Sequence, residues 1–307
     1  MKLIFYFLIF PGFLFTAVAG LLTGWLDRKI TARVQWRVGP PWYQNFADII
    51  KLLIKEVIVP REANKFVFLF APLVGIAGTT LVATLLGLAN WNTEKSFIGD
   101  LVVLWYLLTL PTIALIIGSS ASGNPLAGVG ASREMKLLLS YELPFVISIL
   151  VVVMKAKTLS LGGIINYQGL NGAFLNHLSG IIAFIVALFC VQAKLGLVPF
   201  DIPEAETELA GGIVIEYSGA PLALIKLTKN MLMFILPIFL ITLFWGGVHL
   251  RGLGWLWTLI KYCVIVLLIT LIRNTNPRLR IDQAMRFFWL WMNLLAIIAL
   301  ILSYKGL

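Results

Sequence analysis

Eight long apolar segments constrain the fold of this 307-residue chain more than any other feature. The hydrocarbon core of a bilayer is about 30 Å thick, and a helix needs roughly 20 apolar residues to cross it. The pattern predicts an all-α, polytopic membrane protein of about eight transmembrane helices, with residues 1–307 forming one integral membrane domain. The apolar segments are residues 3–26, 66–90, 101–121, 137–154, 178–198, 220–245, 255–273 and 285–304.

The composition agrees with a membrane protein. Hydrophobic residues make up 60% of the chain and charged residues 12%, and the mean hydropathy is +0.95. A soluble domain carries about 25% charged residues, so an ordinary water-soluble enzyme, a disordered protein and a nucleic-acid-binding module are all excluded. Ala17-Val18-Ala19 mimics a signal-peptide cleavage site, but the apolar run continues beyond it and Arg28 and Lys29 follow, which predicts a retained helix.

The location of the charges gives an orientation. The loops after the first, third, fifth and seventh segments hold 14 of the 24 Lys and Arg residues, against six on the opposite side. Cytoplasmic loops carry the excess of Lys and Arg, so both termini are expected outside. Eleven of the 14 acidic residues lie in the same inner loops, which indicates that this face docks a partner.

The cysteines and histidines offer no cofactor ligands. Cys190 and Cys263 lie inside apolar runs, and the two histidines are His177 and His249. No CxxC motif or Cys/His cluster of the kind that holds an iron–sulfur cluster, a haem or a zinc ion is present. We therefore expect no cofactor or metal on this chain.

The first inner loop predicts a helix in the plane of the interface. A Gly39-Pro40-Pro41 turn is followed at 46–56 by apolar residues at helical spacing, with Asp48 and Lys51 on the other side. That pattern is typical of an interfacial amphipathic helix. The alternative is that the loop is only a positively charged orientation anchor.

Two other inner segments place carboxylates near or within the membrane. Glu142 follows Lys136 by six residues, about 9 Å of helix, and a carboxylate at that depth is a functional candidate unless it only pairs with Arg133 or Lys136. The segment 199–219 carries five acids and no Lys or Arg. If residues 203–215 are helical, Glu204 and Glu208 repel each other on one face, and at least one carboxyl of the cluster is expected to keep a proton near neutral pH. A solvated acidic loop is the alternative.

Three classes of function compete. A prenyltransferase-type membrane enzyme needs two acidic clusters for Mg²⁺ and basic groups for a diphosphate, but the chain has one cluster without a neighbouring base. A secondary transporter predicts repeated halves, and none is found. An ion-conducting subunit docked to a redox partner agrees best with membrane carboxylates, an acidic inner segment and a basic inner loop.

Several stretches resemble subunit 1 of respiratory complex I, and the string PFDIPEAETEL at 199–209 is the most specific. The resemblance implies the membrane subunit directly under the hydrophilic arm, which walls the quinone chamber and opens the acidic entrance to the proton path. The other stretches are 27–40, 47–56, 140–142, 216–219 and 277–283.

Two departures favour a branch of that family. Asp27 stands where complex I usually has Glu, and Lys229 falls where it has a Glu-Tyr pair. These variants look more like the subunits of energy-converting membrane-bound hydrogenases and archaeal sulfane-reducing complexes, which take electrons from ferredoxin and need no quinone. The alternative is a quinone-chamber subunit of an NADH- or ferredoxin-quinone oxidoreductase. Proton, sulfane sulfur and quinone are alternative acceptors, and proton and sodium alternative pumped ions.

The resemblance implies roles for named residues. A proton path is expected at Glu142, Asp201, Glu204, Glu206, Glu208 and Glu216. Docking of the arm is expected at Arg28, Lys29, Arg33, Arg37, Asp48 and Lys51. Charge partners are expected at Arg133, Lys136 and Lys229.

The resemblance also implies an assembly in a prokaryotic cell membrane. The partners would be hydrogenase-like large and small subunits of the arm and antiporter-like membrane subunits. Iron–sulfur clusters, and nickel–iron in one branch, would lie in those partners. The chain would then act in an oxidoreductase only as a non-redox subunit, with no catalysis of its own.

Overall fold

The computed structural model describes residues 2–249 and 252–306, without the side chains of residues 206 and 207. Within these residues the chain is helical and has no strand. The helices are α1 (Lys2–Leu8), α2 (Phe13–Val34), α3 (Gln44–Ile54), α4 (Lys65–Trp91), α5 (Asp100–Ser120), α6 (Pro125–Ala156), α7 (Leu161–Asn171), α8 (Leu178–Lys194), α9 (Glu206–Leu209), α10 (Gly219–Phe244), α11 (Gly254–Thr275), α12 (Ile281–Arg286) and α13 (Asn293–Tyr304).

The predicted membrane architecture is confirmed. In the described part of the chain, seven helical units are long and apolar enough to span a bilayer, with α1 and α2 counted together and α12 joined to α13 through a π-helical turn, Phe287–Met292. The eighth predicted span is α8, an apolar helix of 17 residues. The chain is a polytopic membrane protein.

Helix α10 lies at the centre of the molecule. It packs against α2, α3 and α4 on one side and approaches α7, α8 and α11 on others, and 18 of its 26 residues are buried. A second group consists of α6, α8 and α13, and α5 joins the two groups by packing on α4 and α6. The ends of these two groups that lie near the segment 199–218 enclose the cavities described below.

Helix α6 begins earlier than the predicted span at residue 137. The side chain of Asn124 accepts a hydrogen bond from the Leu126 amide, and Pro125 occupies the first turn, which is a favourable start for a helix. Arg133 and Glu134 therefore lie on a helix and not in a loop. Glu134 is thereby placed on the buried face of the helix.

The amphipathic helix of the first inner loop is present as α3. The side-chain amide of Asn45 donates to the Leu21 carbonyl at 2.8 Å, and Ile49 is buried, so this face of α3 lies against α2 and α10. Ile50, Leu53 and Ile54 are exposed on the other side. An exposed apolar stripe beside basic residues agrees with a position at the membrane surface.

The segment 199–218 is not the continuous helix considered for residues 203–215. It forms a 3₁₀ turn at Ile202–Glu204, the short helix α9 and a second 3₁₀ turn at Gly212–Val214. The helical conformation is interrupted at Ala205, whose ψ of 98° is non-helical, so Glu204 and Glu208 do not share a helix face. Helix α9 then ends at three successive residues with positive φ, namely Ala210 at 51°, Gly211 at 103° and Gly212 at 48°, through which a right-handed helix cannot continue.

Candidate functional site

A wide cavity of about 550 Å³ opens between α2, α10, α11 and the segment after α8. Eight of its 18 lining residues are charged, with five bases and three acids. We call this space the wide cavity. Its charged residues are Asp27, Arg28, Asp201, Glu204, Lys226, Lys229, Arg273 and Arg278.

Two of the three acids in the wide cavity are held by arginines. Asp27 accepts from Arg273 and, at 2.9 Å, from the Thr270 hydroxyl, and its side chain is buried. Asp201 Oδ2 accepts from Arg278 Nε at 2.8 Å and lies 2.6 Å from its Nη2. Each of these two carboxylates therefore lies in an ion pair with an arginine.

The third acid, Glu204, stands where the wide cavity meets a much smaller one. Its carboxylate pairs with Lys229 of α10, so the predicted charge partner Lys229 binds an acid of the segment 199–219. Both residues line the wide cavity and also a pocket of about 40 Å³, which we call the narrow pocket. The pocket continues among α4, α5, α6 and α8 and reaches Lys194.

Lys194 connects the narrow pocket to Glu142. Its ammonium lies 2.8 Å from Glu142 Oε1 and its side chain is fully buried, while that of Glu142 is 17% exposed. Trp105 Nε1 donates to the other carboxylate oxygen at 2.7 Å. Glu142 is therefore an ion pair within the membrane span. Its partner is Lys194, not the Arg133 or Lys136 considered from the sequence, and Lys136 is exposed.

The structure adds a residue that the sequence analysis did not select. Glu134 is buried, lines the narrow pocket and lies eight residues before Glu142 on α6. Among the described residues, no hydrogen bond or ion pair reaches its carboxyl group. The pattern could have found it, because Leu137 and Tyr141 follow at i+3 and i+7 and are buried on the same face.

The other predicted acids lie outside this series. Glu208 pairs with Arg133 at 2.6 Å in a neighbouring groove that shares Asp201. Glu216 accepts from the side-chain amide of Asn124 and lines a further, separate pocket. The side chain of Glu206 lies outside the described part of the chain.

Near Glu216, Tyr217 anchors the segment 212–218 to α4. Its ring stacks on Phe68 with a centroid distance of 4.2 Å, and its hydroxyl donates to the Phe68 carbonyl at 3.2 Å. Burial raises the pKa of Tyr217 above its ordinary value of 10.0. The residue is therefore a neutral hydrogen-bond donor at physiological pH.

The residues predicted to dock the arm form two groups. Arg28 Nη1 lies 3.1 Å from Asp48 Oδ2, and Gln44 donates to Asp48 Oδ1 at 3.0 Å, so these side chains hold α3 against α2. Arg33 and Arg37 are exposed beside Trp36, which is 98% exposed. The remaining two predicted docking residues, Lys29 and Lys51, are half-buried and exposed respectively.

Comparison with known proteins decides the family. The profile described as NADH dehydrogenase matches residues 5–304. The chain belongs to this family.

Its relatives are parts of respiratory complexes. The matching NADH-quinone oxidoreductase subunit from Geobacillus thermodenitrificans is 33% identical over 293 residues, covering 90% of this chain and 86% of the relative. The matching NADH-quinone oxidoreductase subunit from Dehalococcoides mccartyi is 34% identical over 314 residues, covering 98% and 86%. The structure is similar to a chain of the membrane-bound sulfane sulfur reductase, an archaeal respiratory membrane complex, with 27% identity and a TM-score of 0.90 over 99% of this chain and 100% of that one.

These similarities confirm the resemblance to complex I subunit 1, including its likeness to the sulfane-reducing branch. The chain is a membrane subunit of the complex I-like type, and its relatives are parts of oxidoreductase complexes. Relatives that are parts of multi-subunit complexes also imply partner subunits for this chain.

Proposed function

We propose that the chain couples electron transfer in a hydrophilic arm to ion translocation in the membrane. The complex would be a ferredoxin-linked, energy-converting oxidoreductase of the membrane-bound hydrogenase or sulfane reductase type. The observation that carries the proposal is the continuous series of ionisable groups from the wide cavity to the membrane interior. It runs through Glu204–Lys229 and Glu134 to Lys194–Glu142.

The series has the properties of a proton path. Charged groups within a membrane span are costly and are retained for function. Here they lie along two connected cavities. The Glu204–Lys229 pair stands where the wide cavity meets the narrow pocket, and the Lys194–Glu142 pair stands at the far end of that pocket. A carboxylate next to an ammonium accepts or releases a proton when the charge around it changes, because a nearby charge alters the relative energies of its two forms.

The mechanism follows from where the series begins. Electron transfer in the arm would change the charge or the conformation at the first inner loop and the segment 199–219, and so change the proton affinity of Glu204. Protons, or the displacement of charge, would then reach Glu142 and the neighbouring membrane subunits. Moving one charge against 100 mV costs about 2.3 kcal/mol, which corresponds to a change of roughly 1.7 in the pKa of one carboxyl group.

The charged lining of the wide cavity favours a complex that needs no quinone. Sites for apolar ligands are lined mainly by hydrophobic and aromatic side chains with few polar groups. The cavity has eight charged residues among the 18 that line it, including Lys229, and this makes a poor surface for a quinone ring and its tail. A quinone-chamber subunit of an NADH- or ferredoxin-quinone oxidoreductase is the second candidate, because curated relatives are named as NADH-quinone oxidoreductase subunits.

The proposal includes an assembly. Hydrogenase-like large and small subunits would form the arm and carry the iron–sulfur clusters, with nickel–iron in the hydrogenase type. Antiporter-like membrane subunits would receive the ions. Purification of the native complex distinguishes the two candidates, since a nickel–iron hydrogenase-like large subunit agrees with the first and a flavin-containing NADH module with the second.

Replacing Glu142 by Gln tests the path directly. The amide oxygen of Gln still accepts a hydrogen bond from Lys194 or Trp105, so the complex should assemble. The side chain can no longer carry a charge or a proton, so ion translocation per electron should be largely lost in reconstituted vesicles. Electron transfer in the arm should continue.

The control for this variant is Glu94→Gln, an exposed acid remote from the cavities. A double variant, Glu142→Gln with Lys194→Met, removes the buried ammonium that the single change leaves without a counter-charge. Normal pumping in the assembled single or double variant would remove Glu142 from the path.

The exposed arginines test the docking of the arm. Arg33→Ala with Arg37→Ala should release the arm from the purified complex, because charged groups at a protein contact orient and pair with their partner. Arg28→Ala should weaken the position of α3 as well, since Arg28 pairs with Asp48. If the double variant retains a stoichiometric arm in pull-down at moderate salt, the arginines serve only for orientation in the membrane. Lys95→Ala with Lys305→Ala is the matched control at exposed positions.

A further inference from the structure

The narrow pocket contains more acids than it has free bases to neutralise them. Its charged residues are Glu134, Asp201, Glu204, Lys194 and Lys229. Asp201 is neutralised by Arg278, Glu204 by Lys229, and Lys194 by Glu142, which leaves Glu134 as the acid without a described partner. A buried carboxylate without a counter-charge is unfavourable, so the arrangement seen here favours the neutral form of Glu134.

Lys194 cannot become the partner of Glu134 without breaking the contacts that hold its ammonium group. Its side chain is fully buried, its ammonium bonds Glu142, and the Leu108 carbonyl lies 3.5 Å away. The same ammonium lies 5.4 Å from the ring centroids of both Tyr141 and Phe145. These contacts fix Lys194 on the Glu142 side of the pocket.

Lys229 is held much less firmly. About a third of its side chain is exposed, and among the described residues its one polar partner is Glu204. It lines both the wide cavity and the narrow pocket, so the pocket that contains Glu134 is within reach of its four-carbon side chain. A flexible lysine at such a boundary can exchange one carboxylate for another with little change in packing.

We propose that Lys229 is a shared counter-ion that moves between Glu204 and Glu134, so that the two carboxyl groups carry one negative charge between them. This rests on the proposed function and names the residue that controls its first step. When a proton from the wide cavity binds Glu204, Lys229 leaves it and pairs with Glu134. The proton of Glu134 then departs towards the Lys194–Glu142 pair, and the total charge of the pocket returns to its starting value.

The movement transfers the charged pair from the wide cavity towards the membrane interior. While Lys229 pairs with Glu204, Glu134 is protonated and the wide cavity faces a neutral group. After the exchange, Glu204 is protonated and the charged pair lies deeper. At no stage is either carboxylate left charged without its lysine, which avoids the cost of an isolated charge.

Infrared difference spectroscopy on the oxidised and reduced complex tests this exchange. The native complex should show a protonated-carboxyl band that changes with redox state and is absent from Glu134→Gln. In Lys229→Met the Glu134 band should be present in both redox states, so the difference band is lost. Electron transfer should continue while ion translocation is lost. Lys261→Met is the matched control, a half-buried lysine on α11 that donates to the Trp245 carbonyl at 2.7 Å and should leave both measurements unchanged.

Further variants keep the test decisive if Lys229→Met assembles poorly. Lys229→Arg retains the charge and should retain the redox-dependent band. In Glu134→Gln, Lys229 has no second partner, so the band assigned to Glu204 by its loss in Glu204→Gln should stop responding to redox state. A Glu134 band that still changes in Lys229→Met, or no redox-dependent carboxyl band in the native complex, overturns the exchange. Normal pumping by Glu142→Gln overturns the proposed path itself, so the two failures are distinguishable.

Discussion

The ion pairs of this chain differ in how far water weakens them. Arg280–Asp282, at 3.4 Å, joins side chains that are 78% and 61% exposed, and such a pair contributes little to stability. The Glu142–Lys194 pair is buried, and removal of one partner leaves an uncompensated charge. The effect of a substitution therefore depends on the burial of the pair more than on its length.

Asp48 lies between these extremes and gives a pH-dependent prediction. Partial burial raises the pKa of Asp48. The hydrogen bonds from Arg28 and Gln44 and the charges of Arg28 and Lys226 together outweigh this effect and bring the pKa below its ordinary value of 3.8. A group whose pKa is lowered by folding stabilises the fold above its unfolded pKa, and this contribution is lost as the pH falls through its folded pKa. The attachment of α3 should thus be constant near neutrality and weaken only below about pH 3.8.

Hydrogen exchange at the amides of α3 measures this attachment between pH 7 and pH 3, after correction for intrinsic exchange rates. Asp48→Asn should already show at neutral pH the faster exchange that the native chain shows in acid, and it should vary less with pH. Identical corrected profiles for the two proteins would mean that the Arg28–Asp48 pair does not hold the helix.

At the scale of elements, the close approach of α2 to α10 depends on glycine. A Cβ atom at Gly20 would lie 2.6 Å from the Asn230 carbonyl oxygen and 2.8 Å from the Met231 amide nitrogen, both backbone atoms that cannot turn aside. Gly24 follows one turn later on the same face. Small residues four apart let membrane helices pack closely.

Gly20→Ala should therefore destabilise the chain by about 1–3 kcal/mol, the usual cost of overpacking, and lower the thermal midpoint of the detergent-solubilised complex. Gly128→Ala is the control, because a Cβ on this helical glycine meets no atom within 4 Å. Equal midpoints for the two variants would show that α2 and α10 are not held by this contact.

Hydropathy predicts an element well when the element is apolar from end to end. The spans at α4, α5, α10 and α11 lie within one or two residues of the prediction for this reason. It fails where a helix leaves the apolar region, as α6 does through Arg133 and Glu134, and where a short helix such as α7 lies outside the long apolar segments. Local capping by Asn124 and Ser160, not hydropathy, begins these helices.

The candidate site was less predictable because its pairs join distant parts of the chain. The acids of the segment 199–219 could be identified by composition alone. Their partners Arg133, Lys229 and Arg278 lie 75, 25 and 77 residues away in the sequence, and only the packing of α6, α10 and the last inner loop brings them together. Repulsion within the acidic segment was the expectation, but the described acids are each neutralised from outside it or hydrogen-bonded.

At the scale of the whole molecule, contacts at one end of the bundle involve both the first and the last helix. Lys95 donates to the Tyr6 hydroxyl at 3.1 Å, and the Leu161 amide donates to Asp100 at 2.7 Å, so α1 and the loops after α4 and α6 share one end. Ser303 donates to the Val151 carbonyl near the end of α6. The basic loop before α4 lies at the opposite end of these helices.

The orientation of the bundle rests on whether α8 crosses the membrane. Its 17 residues span about 26 Å, slightly less than the bilayer core, but α8 packs against α6 and α13 and so is enclosed largely by protein rather than lipid. With α8 as an eighth span, both termini lie on one side. The excess of Lys and Arg at the other side then predicts that both termini are outside.

Cysteine labelling tests this orientation in a Cys263→Ser background, which removes the exposed native thiol and leaves the buried Cys190. We expect a membrane-impermeant maleimide to label Lys305→Cys and Lys95→Cys in intact cells. Arg61→Cys should react only after permeabilisation, with denatured protein as the reference for total thiol. All three positions are exposed in this chain, so differences report sidedness. Labelling of Lys95→Cys without Lys305→Cys would mean that α8 does not cross, and labelling of Arg61→Cys alone in intact cells would reverse the whole orientation.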